Sequence, residues 1–476
     1  MPTTPREPQP ESPAHSPAHS LAHSLAHSLA YSLGEQVTEA LVSVDAATAQ
    51  VYEHGWQSWS PTTAYGLTNK PHRPATEAIR AMNYRPDRSH PEEGFHGEGL
   101  LCVQEGADAP IHVFAAPAGA DPVPSIHARV DGGHVAVTAD APVDHVVDRG
   151  PGGLQGALGR WGDGFAAASG VTSIRSAPTL WCSWYYYWTK VAETDVLENL
   201  DAMDELELPI DVVQLDDGYQ TEIGDWLTLS GRFASLEGLA DRIRTSGRSA
   251  GIWVAPFIVG ERSETYATHP DWLVPGGYAG SNWNQNVYAL DATHPDANAY
   301  LHEVFSTLHS FGFDFFKIDF VYAGAIDGAR HDGSSPDAAY RHGLRTIRSA
   351  IGDSYLLGCG APIFPSVGLV DAMRVSPDVA PHFEPAPHDP TGPSQRAAAM
   401  TGAARAWQHG RFWVNDPDCL LARSDVERRE EWARHVERYG GMRGSSDRLR
   451  GLDGWGLETT RRLLSDVPPP VPFAAQ

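Results

Sequence analysis

The chain has 476 residues, room for two or three domains at about 150 residues each and for a large apolar core. Acidic side chains number 60 against 35 basic ones, a formal charge of −25, which repels phosphate backbones and anionic lipid and excludes nucleic acid and membrane surfaces as expected partners. No stretch reaches the roughly 18 to 20 unbroken apolar residues of a bilayer crossing, and Cys102, Cys182, Cys359 and Cys419 are too scattered for a disulfide scaffold or a close-paired zinc site.

Residues 1–34 repeat Ser-Pro-Ala-His and then Ser-Leu-Ala-His, with His15, His19, His23 and His27 four apart. On a helix these would share one side and could take up metal adventitiously, but the composition reads as a disordered low-complexity tail. It lacks the basic start, apolar stretch and small-residue cleavage site of a signal peptide. Together with the dispersed cysteines this gives a cytoplasmic expectation. From about 35 to 150, short β-prone pieces such as Ile111–Phe114 and Val135–Val137 alternate with Gly, Pro and Asp turns without a long helix, which predicts an N-terminal antiparallel β-sandwich domain over 35–165.

After a Gly-rich stretch at 150–170 the rhythm becomes strand, helix, strand. Strands are expected at 179–186, 211–216, 250–257, 314–320, 355–360, 371–377 and 411–415, with helices near 193–206, 236–246, 295–310, 337–351, 394–408 and 425–438. Repeated βα units over 170–465 predict a (β/α)₈ TIM barrel, making the chain an α/β protein. An open doubly wound sheet is the alternative, but no Gly-x-Gly-x-x-Gly turn follows the first strand. A short strand in Gly440–Asp447, a helix at 456–464 and a proline-rich end at 466–476 complete the chain.

Catalytic groups of a parallel barrel sit where the strands end at the carboxyl face. In Asp314-Phe-Phe-Lys-Ile-Asp-Phe320, Lys317 and Asp319 share one strand face, and a nearby ammonium would keep Asp319 ionised and nucleophilic. The plainer reading is a self-satisfied ion pair. Asp378, in Arg374-Val-Ser-Pro-Asp378, supplies the second carboxylate of a glycoside hydrolase or merely caps a helix. Retention needs the two carboxyls about 5 to 5.5 Å apart and inversion roughly 6.5 to 9.5 Å. Asp216 and Asp217 close another strand, where sugar hydroxyls, a helix end or a metal would satisfy them. Trp253 either packs in the core or stacks a ring, and the same choice holds for Trp56 and Trp59. Cys359 lies between glycines that allow close approach to backbone, with a reactive thiol as the competing reading. Asp416 and Asp418 read as structural.

Seven segments in this order, Trp181-Cys-Ser-Trp-Tyr, Leu215-Asp-Asp-Gly-Tyr, Gly251-Ile-Trp-Val-Ala-Pro-Phe, Phe316-Lys-Ile-Asp-Phe, Leu357-Gly-Cys-Gly-Ala-Pro, Arg374-Val-Ser-Pro-Asp and Phe412-Trp-Val-Asn-Asp-Pro-Asp-Cys, resemble the α-galactosidases of glycoside hydrolase family 36, in the clan shared with family 27. The resemblance runs from about residue 50 to 465. It implies Asp319 as nucleophile, Asp378 as acid/base, and Asp216 and Asp217 as ligands of galactose hydroxyls. Lys317, Arg374, Trp253 and Cys359 would line the same pocket, with Trp56 or Trp59 closing over the sugar. Family members commonly continue into a C-terminal β-domain, which is expected to be missing or reduced here.

The expected activity is a retaining α-galactosidase acting on small galacto-oligosaccharides such as melibiose or raffinose, with no metal and no cofactor. The alternatives are an α-N-acetylgalactosaminidase, an α-galactosyl transglycosylase or an inactive carbohydrate-binding relative. Lys317 is expected to hold the Asp319 pKa low, and the Asp319 charge to hold that of Asp378 up.

Overall fold

The structure, a computed structural model, describes residues 35–387, 389 and 391–474. The His-rich repeat therefore lies outside the described residues. Eight strands, β1 (Glu35–Ser43), β2 (Gln50–Glu53), β3 (Thr63–Gly66), β4 (Phe95–Glu98), β5 (Leu100–Gln104), β6 (Ile111–Ala115), β7 (Ser125–Asp131) and β8 (His134–Asp148), form one antiparallel sheet in the order β3-β2-β5-β6-β8-β7-β4, with β1 also on β8. Residues from all eight meet in a common apolar core, among them Val42, Val51, Tyr65, Phe95, Leu101, Phe114, Ile126 and Val137. The sheet thus folds over on itself, and the expected two layers come from a single hydrogen-bonded sheet.

Strand β5 shows why these strands read as continuous apolar runs. Leu101 and Val103 face the sandwich core, while Leu100 and Cys102 join the larger core that reaches the barrel, so both faces are covered. Two helices escaped the sequence reading: α1 (Glu77–Asn83), whose N-cap Thr76 accepts from Ile79 N, and α2 (Gly153–Ala168). The glycines of α2, poor helix formers, are used for contact. A Cβ at Gly162 would meet the Trp407 ring at 2.9 Å, and one at Gly159 the Arg411 guanidinium at 2.9 Å.

The barrel strands are β9 (Thr179–Cys182), β10 (Val212–Leu215), β11 (Ser249–Val254), β15 (Phe313–Ile318), β16 (Tyr355–Gly358), β17 (Ala372–Arg374), β18 (Val414–Asp416) and β19 (Arg443–Ser445). They are parallel, in the order β18-β17-β16-β15-β11-β10-β9-β19. Near the seam Gly441 N and Met442 N each donate to Asn415 O at 3.0 Å, leaving an eight-stranded barrel that is nearly closed. Helices cover the outside, their starts fixed by side-chain caps such as Ser235 on Gly238 N, Ser335 on Ala338 N and Ser394 on Ala397 N. After β11 the chain departs from a plain βα unit. Strands β12 (Ile258–Gly260), β13 (Leu273–Asn282) and β14 (Gln285–Leu290) make a three-stranded antiparallel sheet, where the sequence had given only a connection.

The two halves share one core. Tyr52, Trp56 and Val113 of the N-terminal part, Trp161 and Phe165 of α2, and Phe364, Trp407 and Phe412 of the barrel belong to it. At its centre Arg405 is fully buried with backbone carbonyls as its acceptors. It donates to Gln57 O at 2.9 Å, Ser60 O at 3.3 Å, Gly55 O at 3.4 Å and Val375 O at 3.1 Å, and also to Ser58 O. Burial pushes its pKa down to about 9. Each buried carbonyl left without a donor costs about 1–3 kcal/mol. Arg405→Leu is therefore expected to lower the unfolding free energy by about 3 kcal/mol or more in urea titration. A change under about 1 kcal/mol would show that water replaces the guanidinium.

Candidate active site

A cavity of about 730 Å³ opens at the carboxyl ends of the barrel strands, lined by Asp216, Asp217, Trp253, Lys317, Asp319 and Asp378 together with Trp59, Trp184, Trp283 and Phe320. The acids come from β10, β15 and β17 and so meet only in the folded barrel.

Asp319 directly follows β15. Trp253 Nε1 donates to its Oδ2 at 2.9 Å, and the backbone N–H of Phe320 donates to Oδ1 at 2.9 Å. The second bond is made by a turn at Phe320, whose φ of 53° is left-handed, a conformation that bulky residues seldom adopt. Lys317 is not the direct partner of Asp319, although the two share a strand face. Its Nζ lies 2.9 Å from Asp216 Oδ2, which also accepts from Gln214 Nε2 at 2.7 Å and from Cys182 Sγ at 3.3 Å. Burial alone would pull the Lys317 pKa down, but Asp216, with help from Cys182 and Asp319, holds it well above the usual lysine range. Lys317 thus bonds Asp216, while the bonded partners of Asp319 are neutral N–H groups.

Asp217 is buried and its oxygens accept from Gln220 Nε2 at 2.6 Å and Trp283 Nε1 at 2.7 Å. Burial pushes its carboxyl up to about 6, with Asp216 and Asp319 adding to the rise. Asp378 stands beyond β17 with its side chain 29% exposed, 3.2 Å from Arg374 Nη1. Burial, then the charge of Asp418, pushes it up to about 7 against the pull of Arg374 and Lys317, with Asp319 a smaller contributor to the rise. The Asp319 charge thus acts in the expected direction without being the main cause. Arg374 has little to spare, because it also binds Asp416 Oδ2 at 3.0 Å and Asp418 Oδ2 at 2.8 Å. Asp416 and Asp418 are thereby both engaged in ion pairs with Arg374.

Three of the expected pocket residues do not line the cavity. Arg374 lies buried behind Asp378. Cys359 is fully buried beneath the strand end, and burial, aided by Asp319, raises its thiol well above the usual range, which keeps it unreactive. The glycine after it serves a side chain rather than a ligand: Gly360 has φ 56°, and a Cβ there would meet the Trp59 ring at 3.0 Å. Of the two N-terminal tryptophans, Trp59 lines the cavity, meeting Phe320 edge-on at 4.9 Å. Trp56 points into the shared core.

The sequence reading missed Trp283 and the wall formed by α1. Trp283 and Asn284 are the two central residues of the β13–β14 hairpin, both at positive φ (52° and 55°), the pattern of a type I′ turn. The familiar Asn-Gly signal is absent there. Helix α1 brings Ile79, Met82 and Asn83 to the cavity, and Asn83 Nδ2 bonds Thr391 Oγ1 at 2.7 Å in the segment after β17. Among the described residues one group could hold a metal ion, His90, His96 and Glu98 in the N-terminal half. None of the three lines the cavity, and His96 Nε2 and Glu98 Oε1 already bond each other at 2.6 Å.

The Melibiase family profile matches residues 172–341. Among curated proteins, an α-galactosidase of Geobacillus stearothermophilus is 30% identical over 149 residues, 30% of this chain and 20% of that protein. A bifunctional α-galactosidase/sucrose kinase of Mediterraneibacter gnavus is 33% identical over 81 residues, 15% of this chain and 9% of that one. The matched stretches thus span a fifth or less of these relatives' length. Among solved structures, the α-galactosidase of Thermus thermophilus in complex with p-nitrophenyl α-D-galactopyranoside superposes with a TM-score of 0.77 at 26% identity, covering 91% of this chain and 89% of that one. Residues 172–341 are thus similar to the Melibiase family, and the described fold is similar to that of the Thermus thermophilus α-galactosidase.

Proposed function

We propose that this chain is a retaining α-galactosidase that releases terminal non-reducing α-D-galactose from small galacto-oligosaccharides, with residues 35–165 as an N-terminal domain and 170–465 as the catalytic barrel. The observation that carries the reading is the convergence of Asp319 and Asp378 on one cavity in opposite settings: Asp319 is bonded by N–H donors, and Asp378 is raised to about 7. Of two acids in such settings, the one raised towards neutrality serves as proton donor and the other as nucleophile. A Thermus thermophilus neighbour at 27% identity was determined with stachyose bound, which supports an oligosaccharide substrate.

In the first step an Asp319 oxygen attacks the anomeric carbon as Asp378 protonates the departing glycosidic oxygen. The bond to the aglycone breaks, and galactosyl-aspartate forms. In the second step Asp378 takes a proton from water, whose oxygen displaces Asp319 and restores both acids. Asp216, Asp217 and Lys317 line the cavity as acceptors and a donor for sugar hydroxyls, and Trp59 and Trp283 supply its apolar walls.

Asp319→Ala is expected to abolish hydrolysis of aryl α-galactosides, with azide restoring part of the rate. Turnover at the parental level in that variant would refute the nucleophile. Because the first step needs Asp378 protonated, kcat/KM on natural sugars should fall as pH rises through about 7, and a flat profile to pH 9 would count against its role. Asp378→Ala should lose far more rate on melibiose than on an aryl galactoside whose leaving group needs no proton, a contrast roughly of two orders of magnitude or more. Following the product anomer by NMR on aryl α-galactoside, with the N-acetylgalactosaminide as comparison, tests stereochemistry and sugar preference together. First-formed β-galactose would overturn retention.

A further inference from the structure

Tyr185 and Tyr187, in the aromatic run that makes α3 (Trp184–Tyr187) and the turn after it, are committed internally. The Tyr185 hydroxyl donates to Asp418 Oδ2, and that of Tyr187 accepts from Asn199 Nδ2 at 2.7 Å. Trp184 lines the cavity. Trp188 packs edge-on against Trp184, ring centroids 5.1 Å apart, and against Tyr185 at 5.9 Å, yet stays 41% exposed. Its backbone has φ 51° and ψ −151°, a region glycine favours and a large side chain rarely enters. The following residues are pinned, with Arg232 donating to Thr189 O at 2.8 Å and Val191 O at 2.9 Å. Thr189 itself lines the cavity. A rigid segment thus holds an indole half in water, against the cavity-lining tryptophan, at a cost in backbone conformation that core packing does not explain.

We propose that Trp188, with Trp184, forms a stacking subsite for the sugar units of an α-galactoside beyond the first one after the scissile bond. The inference rests on the α-galactosidase reading and deepens it. An exposed indole face offers flat apolar area with few rotamers to freeze, which suits the C–H face of a neutral pyranose. Tyr186 is equally exposed at 41%, but it packs on Tyr187 at 4.8 Å and lies under Arg423, so it is not part of the platform.

The test compares melibiose with stachyose on the full chain and its Trp188→Ala and Trp188→Phe variants. Trp188→Ala is expected to lose roughly tenfold in kcat/KM on stachyose, mainly through KM, and less than twofold on melibiose, with Trp188→Phe recovering most of the loss. An equal loss on both substrates, or none on either, overturns the platform while the activity stands. A parent chain inert towards both sugars and aryl α-galactosides overturns the activity itself, and the subsite with it.

Discussion

Packing carboxylates into a cavity with few cations is the constraint that organises this barrel. Asp216, Asp217, Asp319 and Asp378 line it, Asp416 and Asp418 stand behind, and the buried cations among them are Lys317 and Arg374. Like charges about 4 Å apart repel by about 4 kcal/mol at an effective dielectric near 20, so the cations must be shared unequally. Lys317 goes to Asp216, and Arg374 is divided among three acids. Asp319 is left to two neutral N–H donors, those of Trp253 and Phe320. Burial, then the repulsion of Asp418, raises Asp378 to about 7 against the pull of its share of Arg374.

The cavity is also a joint product of both halves of the chain. Trp59 reaches it from a loop that Arg405 grips by its carbonyls and that pairs with the barrel through Ser58 N on Ala361 O at 2.9 Å and Ile363 N on Trp56 O at 3.0 Å. Gly360, without a side chain, lets the indole lie against the strand end. Helix α1 closes another side through Gln57 Nε2 on Met82 O at 2.6 Å. With the apolar core continuous across the boundary, the sandwich acts as a wall of the site and not as an appendage.

Much of this was legible in the sequence because parallel barrel strands announce themselves as apolar runs that end in polar residues. Asp216, Asp217, Lys317, Asp319 and Asp378 were all found at such ends. The pairing among them was not. Periodicity puts Lys317 and Asp319 on one face of β15, but only the lateral order β10-β11-β15 brings the ammonium to Asp216. Nor does spacing separate Trp56 from Trp59: three residues apart in an irregular loop, they point to the core and to the cavity. The β13–β14 hairpin stayed hidden because its turn is built from Trp283-Asn284, and α2 because its glycines signal a linker while serving contact with Trp407 and Arg411.

Backbone strain points to the same place as the charges. Among the described residues, the non-glycine positions at positive φ include Trp188, Trp283, Asn284, Phe320 and Asp418. Trp283, Asn284 and Phe320 line the cavity, and Asp418 holds Arg374. Such conformations cost about 1–3 kcal/mol each and persist where the surroundings over-determine them. For bulky aromatics the cost has an identifiable return in geometry. The turn at Phe320 aims its own N–H at Asp319, and the turn at Trp283 sets its indole N–H on Asp217. A relaxed backbone at either position would move the donor off the carboxylate, so the strain is the means by which neutral groups, rather than further cations, hold the acids of the site.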